Sequence, residues 1–260
     1  MGRIRYAARS PEELANREVQ ATSVGAWATS LVATYATDPD IVAAVLPPPL
    51  EPGADPLVKV TVATVDLGRP GLPPFGAGSF SVAARHEGTD GWYALVMPMT
   101  TEQSVIGGRE TFGEPKKLGQ VALERDGDRV TGSIARLGTT IIEITGTVGD
   151  PVEVADGTRT DFYFKFLPAP DGKGFDDEAS LVYCHRDETT RSARRVDGTV
   201  VLRESRFDPV ADLPVRELRG ITLAERRSVQ RGEIVGRVPA DWLIPYAHQR
   251  YDDLSPVGED

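Results

Sequence analysis

The feature that most constrains the fold is a long meander of short strand-like segments with no helical stretch between them. Residues 120–125 and 129–137 flank the turn Asp126-Gly127 and read as a hairpin. Residues 139–148 add a third strand of alternating and β-branched character, and residues 160–167, 179–185 and 198–206 continue it. Asp171-Gly172 and Asp197-Gly198 mark turns. Parallel strands need a crossover of a dozen residues or more, usually a helix. The pattern therefore argues against parallel βαβ winding. The expected fold is mainly β (α+β), one domain over residues 1–260, with peripheral helices and antiparallel strands closed into a barrel.

Upstream, residues 57–65 alternate with a slip near Val62, which reads as a strand with a bulge. A Gly- and Pro-rich loop follows over residues 68–78, then strands over 79–85 and 92–97 around a turn at 87–91. Residues 11–37 read as partly helical from Pro11-Glu12-Glu13-Leu14. Asp38 caps a short helix with Pro39 at its first position and Ile41, Val42 and Val45 on its apolar face, and Pro47-Pro48-Pro49 ends it. Residues 213–223 read as one more strand, and residues 239–251 as a terminal helix or irregular segment.

With 40% apolar and 26% charged residues in 260, the chain reads as soluble and globular. A net charge of −10 argues against a nucleic-acid partner, since phosphate binding needs excess Lys and Arg. The basic groups Arg191, Arg194, Arg195 and Arg226, Arg227, Arg231 read as solvated faces. No apolar run approaches the roughly 18 residues of a membrane span, and the first residues lead into no signal-peptide core. A single cysteine, Cys184, fits a reducing, cytoplasmic setting.

Chemistry concentrates in residues 108–119, which hold three glycines, Pro115, Arg109-Glu110 and Lys116-Lys117. An amine attacks a carbonyl only when neutral, and at a reference pKa near 10.4 about one lysine in 2,500 is neutral at pH 7. Desolvation and a nearby like charge both lower that pKa. An adjacent lysine supplies the like charge if an irregular backbone aims both amines into one site; on a regular strand they would point apart. Lys-Lys is also a common exposed dipeptide. Arg109 and Glu110 either orient this loop and hold a substrate carboxylate, or form a structural salt bridge. Glu114 could tune the amine or transfer a proton, but reads as exposed.

Other motifs fail. His86-Glu87 has Asp90 where a zincin needs its second His, and His86, His185 and His248 are scattered, so no metal site is expected. Cys184 and His185, as strand neighbours, would point to opposite faces. Gly108 to Gly113 has P-loop spacing but Glu114 in place of Lys, Gly76-Ala77-Gly78 lacks a third glycine, and no Gly-x-Ser-x-Gly elbow occurs.

The segment Gly108-Arg109-Glu110 with Pro115-Lys116-Lys117-Leu118-Gly119 resembles the active-site signature of the acetoacetate decarboxylase family. Pro49-Leu50-Glu51 with Pro56-Leu57-Val58, and Asp212-Leu213-Pro214-Val215, resemble further family segments, and the spacing can be followed from about residue 28 to 224, leaving the first 25 residues uncovered. The resemblance implies antiparallel strands closed into a barrel or cone, a homo-oligomer, and a keto-acid substrate handled without metal or organic cofactor. It implies an iminium at Lys116 with Lys117 lowering its pKa; acetoacetate decarboxylase is itself the familiar example of a lysine activated beside another cation.

The family's pocket arginine and two glutamates fall on Ala28, Thr61 and Ala77. That loss sets acetoacetate itself aside as the expected substrate and leaves iminium formation untouched. Relatives with altered pockets use the iminium for aldol condensation with pyruvate and dehydration, which needs an acid–base group; Glu110, Glu114, Tyr246 and Tyr251 are candidates, the tyrosines reading first as packing residues. The expectation is a decarboxylase-like Schiff-base lyase. The alternatives are a pyruvate-dependent aldolase/dehydratase and a catalytically silent ligand-binding barrel.

Overall fold

The alternation of Gly25–Ala36 decides the centre of the molecule. Leu31, Ala33 and Tyr35 are fully buried, and the segment is strand β1. The structure, a computed structural model, describes residue 4, residues 6–15 and residues 25–252. Residues 11–15 are helical, but residues 25–36 are strand, so the partly helical expectation fails there; residues 16–24 lie outside the described residues. Small and β-branched residues dilute the apolar period of β1 in the sequence, and pairing on both sides, with β12 and β3, outweighs helix propensity.

The chain continues through α1 (Pro39–Val45), β2 (Glu51–Pro52), β3 (Leu57–Asp66), β4 (Phe75–His86) and β5 (Thr89–Met99). Then come α2 (Glu102–Phe112), β6 (Lys116–Leu118), β7 (Gln120–Asp126), β8 (Arg129–Arg136), β9 (Thr139–Pro151) and β10 (Gly157–Lys165). It ends with β11 (Ala179–Leu202), β12 (Glu217–Val238), α3 (Ala240–Leu243) and α4 (Ala247–Arg250). No described helix is long and apolar enough to cross a membrane. The β7–β8 hairpin forms as expected, but its two-residue turn is Gly127-Asp128, one residue later than read: Asp126 pairs with Arg129 in the strands, and Gly127 sits at φ 58°. Asp38 precedes α1 but makes no cap hydrogen bond; its carboxylate accepts from Arg216.

All strands join one sheet in which β10, β5, β4, β3, β1, β12 and β11 close into a ring through the β10–β11 pairing. The ring is not wholly antiparallel: β10 meets β5 in parallel over two pairs, Asp161 with Trp92 and Phe162 with Tyr93. β9, β8 and β7 extend from β11, and β8 packs back on the ring, with Gly132 set closely against Leu31 and Val62.

Three expectations about strands need correction. β3 has no bulge: Val58, Val60 and Val62 alternate regularly, and Ala63 is buried because both faces of the strand are covered. The loop after β3 is shorter than 68–78, since β4 begins at Phe75. Asp197-Gly198 is not a turn but lies inside β11, opposite Thr147 and Gly146. A Cβ on Gly198 would come within 2.8 Å of the Gly146 Cα, so this glycine serves a close backbone crossing.

Alternate residues feed two apolar clusters. The larger holds Leu31, Tyr35, Val60, Phe80, Ile134, Ile142, Phe162 and Phe164 among others. Each such side chain contributes about 1.5–3 kcal/mol by leaving water. The smaller holds Ala94, Met97, Met99, Tyr163, Val182 and Cys184, with Phe75, Ala77, Val105 and Phe112 packed against it. Phe162 and Tyr163 are adjacent yet belong to different clusters, so the two lie on opposite faces. The second face, partly covered by α2, carries the candidate site.

Candidate active site

The segment expected to be irregular is mostly regular. Its first half is the end of α2, a helix that follows Thr101 and carries Glu102 in its first turn and Arg109 in its last. Gly113 stops it in the left-handed region at φ 80°, donating its N–H to the Arg109 carbonyl at 3.1 Å. Glu114 and Pro115 then lead into β6, which lies parallel to Met97–Met99 of β5.

Regular strand geometry sends the two lysines apart. The Lys116 Nζ lies 2.7 Å from Glu114 Oε2, with side-chain exposures of 13% and 1%. The Lys117 Nζ instead meets Asp208 Oδ1 at 3.1 Å and Asp252 Oδ1 at 2.9 Å. Arg136 bonds the same two carboxylates. The expectation that Lys117 shares a pocket with Lys116 is therefore corrected. Its charge is balanced by two carboxylates on the other side of β6.

Glu114 also departs from expectation, being fully buried rather than exposed. Its Oε1 accepts from Arg186 Nη2 at 2.9 Å and Gln230 Nε2 at 3.2 Å. Arg186 and Gln230 are paired neighbours across β11 and β12, which explains why both reach one oxygen. Burial alone would raise the Glu114 pKa. The Lys116 and Arg186 charges and these hydrogen bonds more than offset it and hold the carboxyl below the usual range.

Gly108, on the face of α2 toward β6, makes room for the pair. A Cβ there would fall on Glu114 Oε2 and 2.6 Å from Lys116 Nζ. Arg109 holds the backbone: its Nη1 donates to the Lys116 carbonyl at 3.1 Å and to the Arg250 carbonyl at 3.2 Å. Glu110 is exposed and makes no ion pair with Arg109, which removes the salt-bridge reading. Tyr246 lines a small cavity with Tyr93, Pro115, Tyr163 and Arg250, of which Lys116 is not a wall. The Tyr251 ring packs against Arg109 and Phe166.

The charges continue past Glu114. Arg186 Nε donates to Asp161 Oδ2, Asp161 Oδ1 accepts from Arg159 at 3.3 Å, and Arg159 pairs with Glu188. Tyr163 OH donates to Asp161 Oδ2 at 3.4 Å and accepts from Arg186 at 3.3 Å. Burial raises the Asp161 pKa, but Arg159, Arg186 and Lys59 reverse this and keep it an anion. Burial, then the Asp161 charge, pushes the Tyr163 phenol well up, so it keeps its proton. Sequence reasoning missed Arg186, Gln230, Asp161 and Tyr163, and it named Gly108 as part of the motif without giving it the role of clearing space for the pair. The one available signal was the alternation Asp161-Phe162-Tyr163-Phe164, which puts two polar groups on one face.

Ala77 packs against the smaller cluster, and Thr61 stands between Val60 and Val62 of the larger, so both face the site. Ala28, by the same alternation against Leu31 in β1, lies on that face too. The positions where the resemblance expects an arginine and two glutamates are thus small here. The carboxylate and guanidinium beside Lys116 come instead from Glu114 and Arg186.

The acetoacetate decarboxylase (ADC) family model matches residues 10–238 of this chain. The acetoacetate decarboxylase of Chromobacterium violaceum is 33% identical over 199 residues, 72% of this chain and 77% of that protein. In the fold, a crystal structure of acetoacetate decarboxylase from Legionella pneumophila aligns with a TM-score of 0.71 at 21% identity, covering 89% of this chain and 99% of that one. The enduracididine biosynthesis enzyme MppR complexed with pyruvate aligns with a TM-score of 0.71 at 19% identity, covering 89% and 93%. On its sequence and its fold, the chain belongs to the acetoacetate decarboxylase family.

Proposed function

We propose that the chain is a decarboxylase-like Schiff-base lyase whose nucleophile is Lys116 and whose substrate is a small keto acid. The observation that carries this reading is the Lys116 amine set against the buried Glu114 carboxylate, in space that Gly108 leaves open. Glu114 accepts a proton from the ammonium, the free amine attacks the keto carbon, and a C–N bond forms. The carbonyl oxygen leaves as water, taking one proton back from Glu114 and one from the attacking nitrogen, and an iminium results. In decarboxylation, the pair of the C–CO₂ bond flows to the iminium nitrogen, CO₂ leaves, and the enamine is protonated at carbon and hydrolysed. Arg186 holds Glu114 aimed at the amine and favours its return to the carboxylate once the proton has been given back.

A second reading uses the same iminium for condensation of pyruvate with an aldehyde, followed by dehydration. Small residues at Ala28, Thr61 and Ala77 favour it, because they leave no carboxylate there to help expel a substrate carboxylate. MppR, similar in fold, is a protein complexed with pyruvate. Incubation with pyruvate or acetoacetate and borohydride, followed by intact mass, tests the shared step. A trapped adduct that peptide mapping places on Lys116, and that is lost from position 116 in Lys116→Ala, is expected. Its absence across a panel of keto acids leaves a ligand-binding protein, and CO₂ release against a new C–C product separates the two chemistries.

A further inference from the structure

A second amine faces the same side of the sheet. Lys59 alternates with Val58 and Val60 of the larger cluster and so points to the face of Tyr163 and Arg186. Its backbone partner is Ser81, and the neighbouring Ala83 is paired with Trp92. Over these two small residues its Nζ reaches the Trp92 ring, 4.0 Å from the centroid. Trp92 in turn is paired with Asp161.

Among the described residues no carboxylate oxygen lies within ion-pair distance of Lys59. The nearby charges already cancel. Lys116, Glu114, Arg186, Asp161, Arg159 and Glu188 alternate in sign along consecutive ion pairs, three cations against three anions. A charged Lys59 would be the one unbalanced member. Burial pushes its ammonium pKa well down, Arg159 and Arg186 push the same way, and Asp161 and Glu188 oppose only in part. Desolvation with flanking cations is the environment that activates a lysine, and this structure supplies it at Lys59. Lys59 itself is half-buried rather than sealed, which leaves its amine open to a small molecule.

We propose that Lys59 is a second carbonyl-reactive amine of this chain, forming a Schiff base with a small aldehyde or ketone whose apolar side lies on Trp92. The Nζ lone pair attacks the carbonyl carbon and a C–N bond forms. The carbonyl oxygen leaves as water with both amine hydrogens, giving a neutral imine. This site stands independently of the reaction assigned to Lys116.

The chain has five lysines, and Lys173 is exposed on a loop, which makes it an internal reference. Short pulses of acetaldehyde with cyanoborohydride at pH 7, followed by peptide mapping, are run on the full chain and on Lys116→Ala. Hydride from the reagent reduces the imine carbon and fixes the label. Lys59 is expected to be modified at least ten times faster than Lys173 in both proteins. Modification of Lys59 no faster than Lys173, in protein whose circular dichroism is that of the folded chain, overturns the inference. Parallel pulses with pyruvate keep the two assignments apart: label on Lys59 without label on Lys116 rejects the function proposed for Lys116 and upholds this one, and the reverse result does the opposite.

Discussion

Gly108 and Lys116 occupy one space: the α-carbon hydrogen of the glycine stands where any side chain would meet the amine, with a Cβ only 2.6 Å from Nζ. The helix therefore sets the position of the nucleophile by what it lacks.

Gly108→Ala follows from that relationship. Alanine in place of a helical glycine should gain up to about 1 kcal/mol of helix propensity. The added methyl displaces the Lys116–Glu114 pair, so borohydride trapping at Lys116 should fall at least ten-fold. A Tm that holds while trapping falls is the expected pattern. Trapping at the wild-type rate would mean that the pair tolerates the methyl.

Lys117 should matter for stability. Lys117→Met leaves Asp208 and Asp252 with Arg136 alone, one guanidinium for two carboxylates, of which Asp208 is buried. Breaking one partner out of a buried ion network costs about 3 kcal/mol. Urea denaturation should show that loss, while trapping at Lys116, measured well below the lowered midpoint, changes less than three-fold.

Glu114→Gln keeps the shape and removes the proton acceptor. The trapping rate should drop by about two orders of magnitude at pH 7, in the range of general acid–base contributions. Stability should respond to pH as well. Glu114, Asp161 and Asp252 all have folded pKa values below their ordinary ones. Their stabilisation is present above the unfolded carboxylate range near pH 4 and is lost as pH falls through the folded values. Denaturation at pH 7, 4 and 3 should show a steep acid limb, shallower in Glu114→Gln.

Lys59→Met should raise stability. The methionine keeps most of the apolar stem on Trp92 and removes an amine buried without a counter-ion, a change worth on the order of 1 kcal/mol. A higher denaturation midpoint with label lost from position 59 is the expected outcome; a lower midpoint would mean that the amine is stabilised where it sits.

The meander was legible because its turns are local: a two-residue connection, Gly127-Asp128, is enough to make a hairpin, and Gly127 takes the positive φ that favours glycine. Helix α2 was not read, because Gly107, Gly108 and Thr111 weaken its propensity; its signals were Gly113 as a stop and Glu102 and Arg109 in the terminal turns. Lys116 was legible from its motif. The surroundings were not, because Glu114 is buried by Arg186 and Gln230, far along the chain, and Lys59 looks like any outward residue of an alternating strand.

The join between β5 and β10 has a further meaning. It is two residue pairs long, where every other pairing in the ring runs over at least eight. One of its members, Asp161, holds Arg186, which holds Glu114 against Lys116. The wall that carries the charges is thus also the place where the ring is least fastened. Amide hydrogens along this seam are expected to exchange faster than those of β1 and β12, and such local opening would admit or release a molecule while the rest of the ring stays shut.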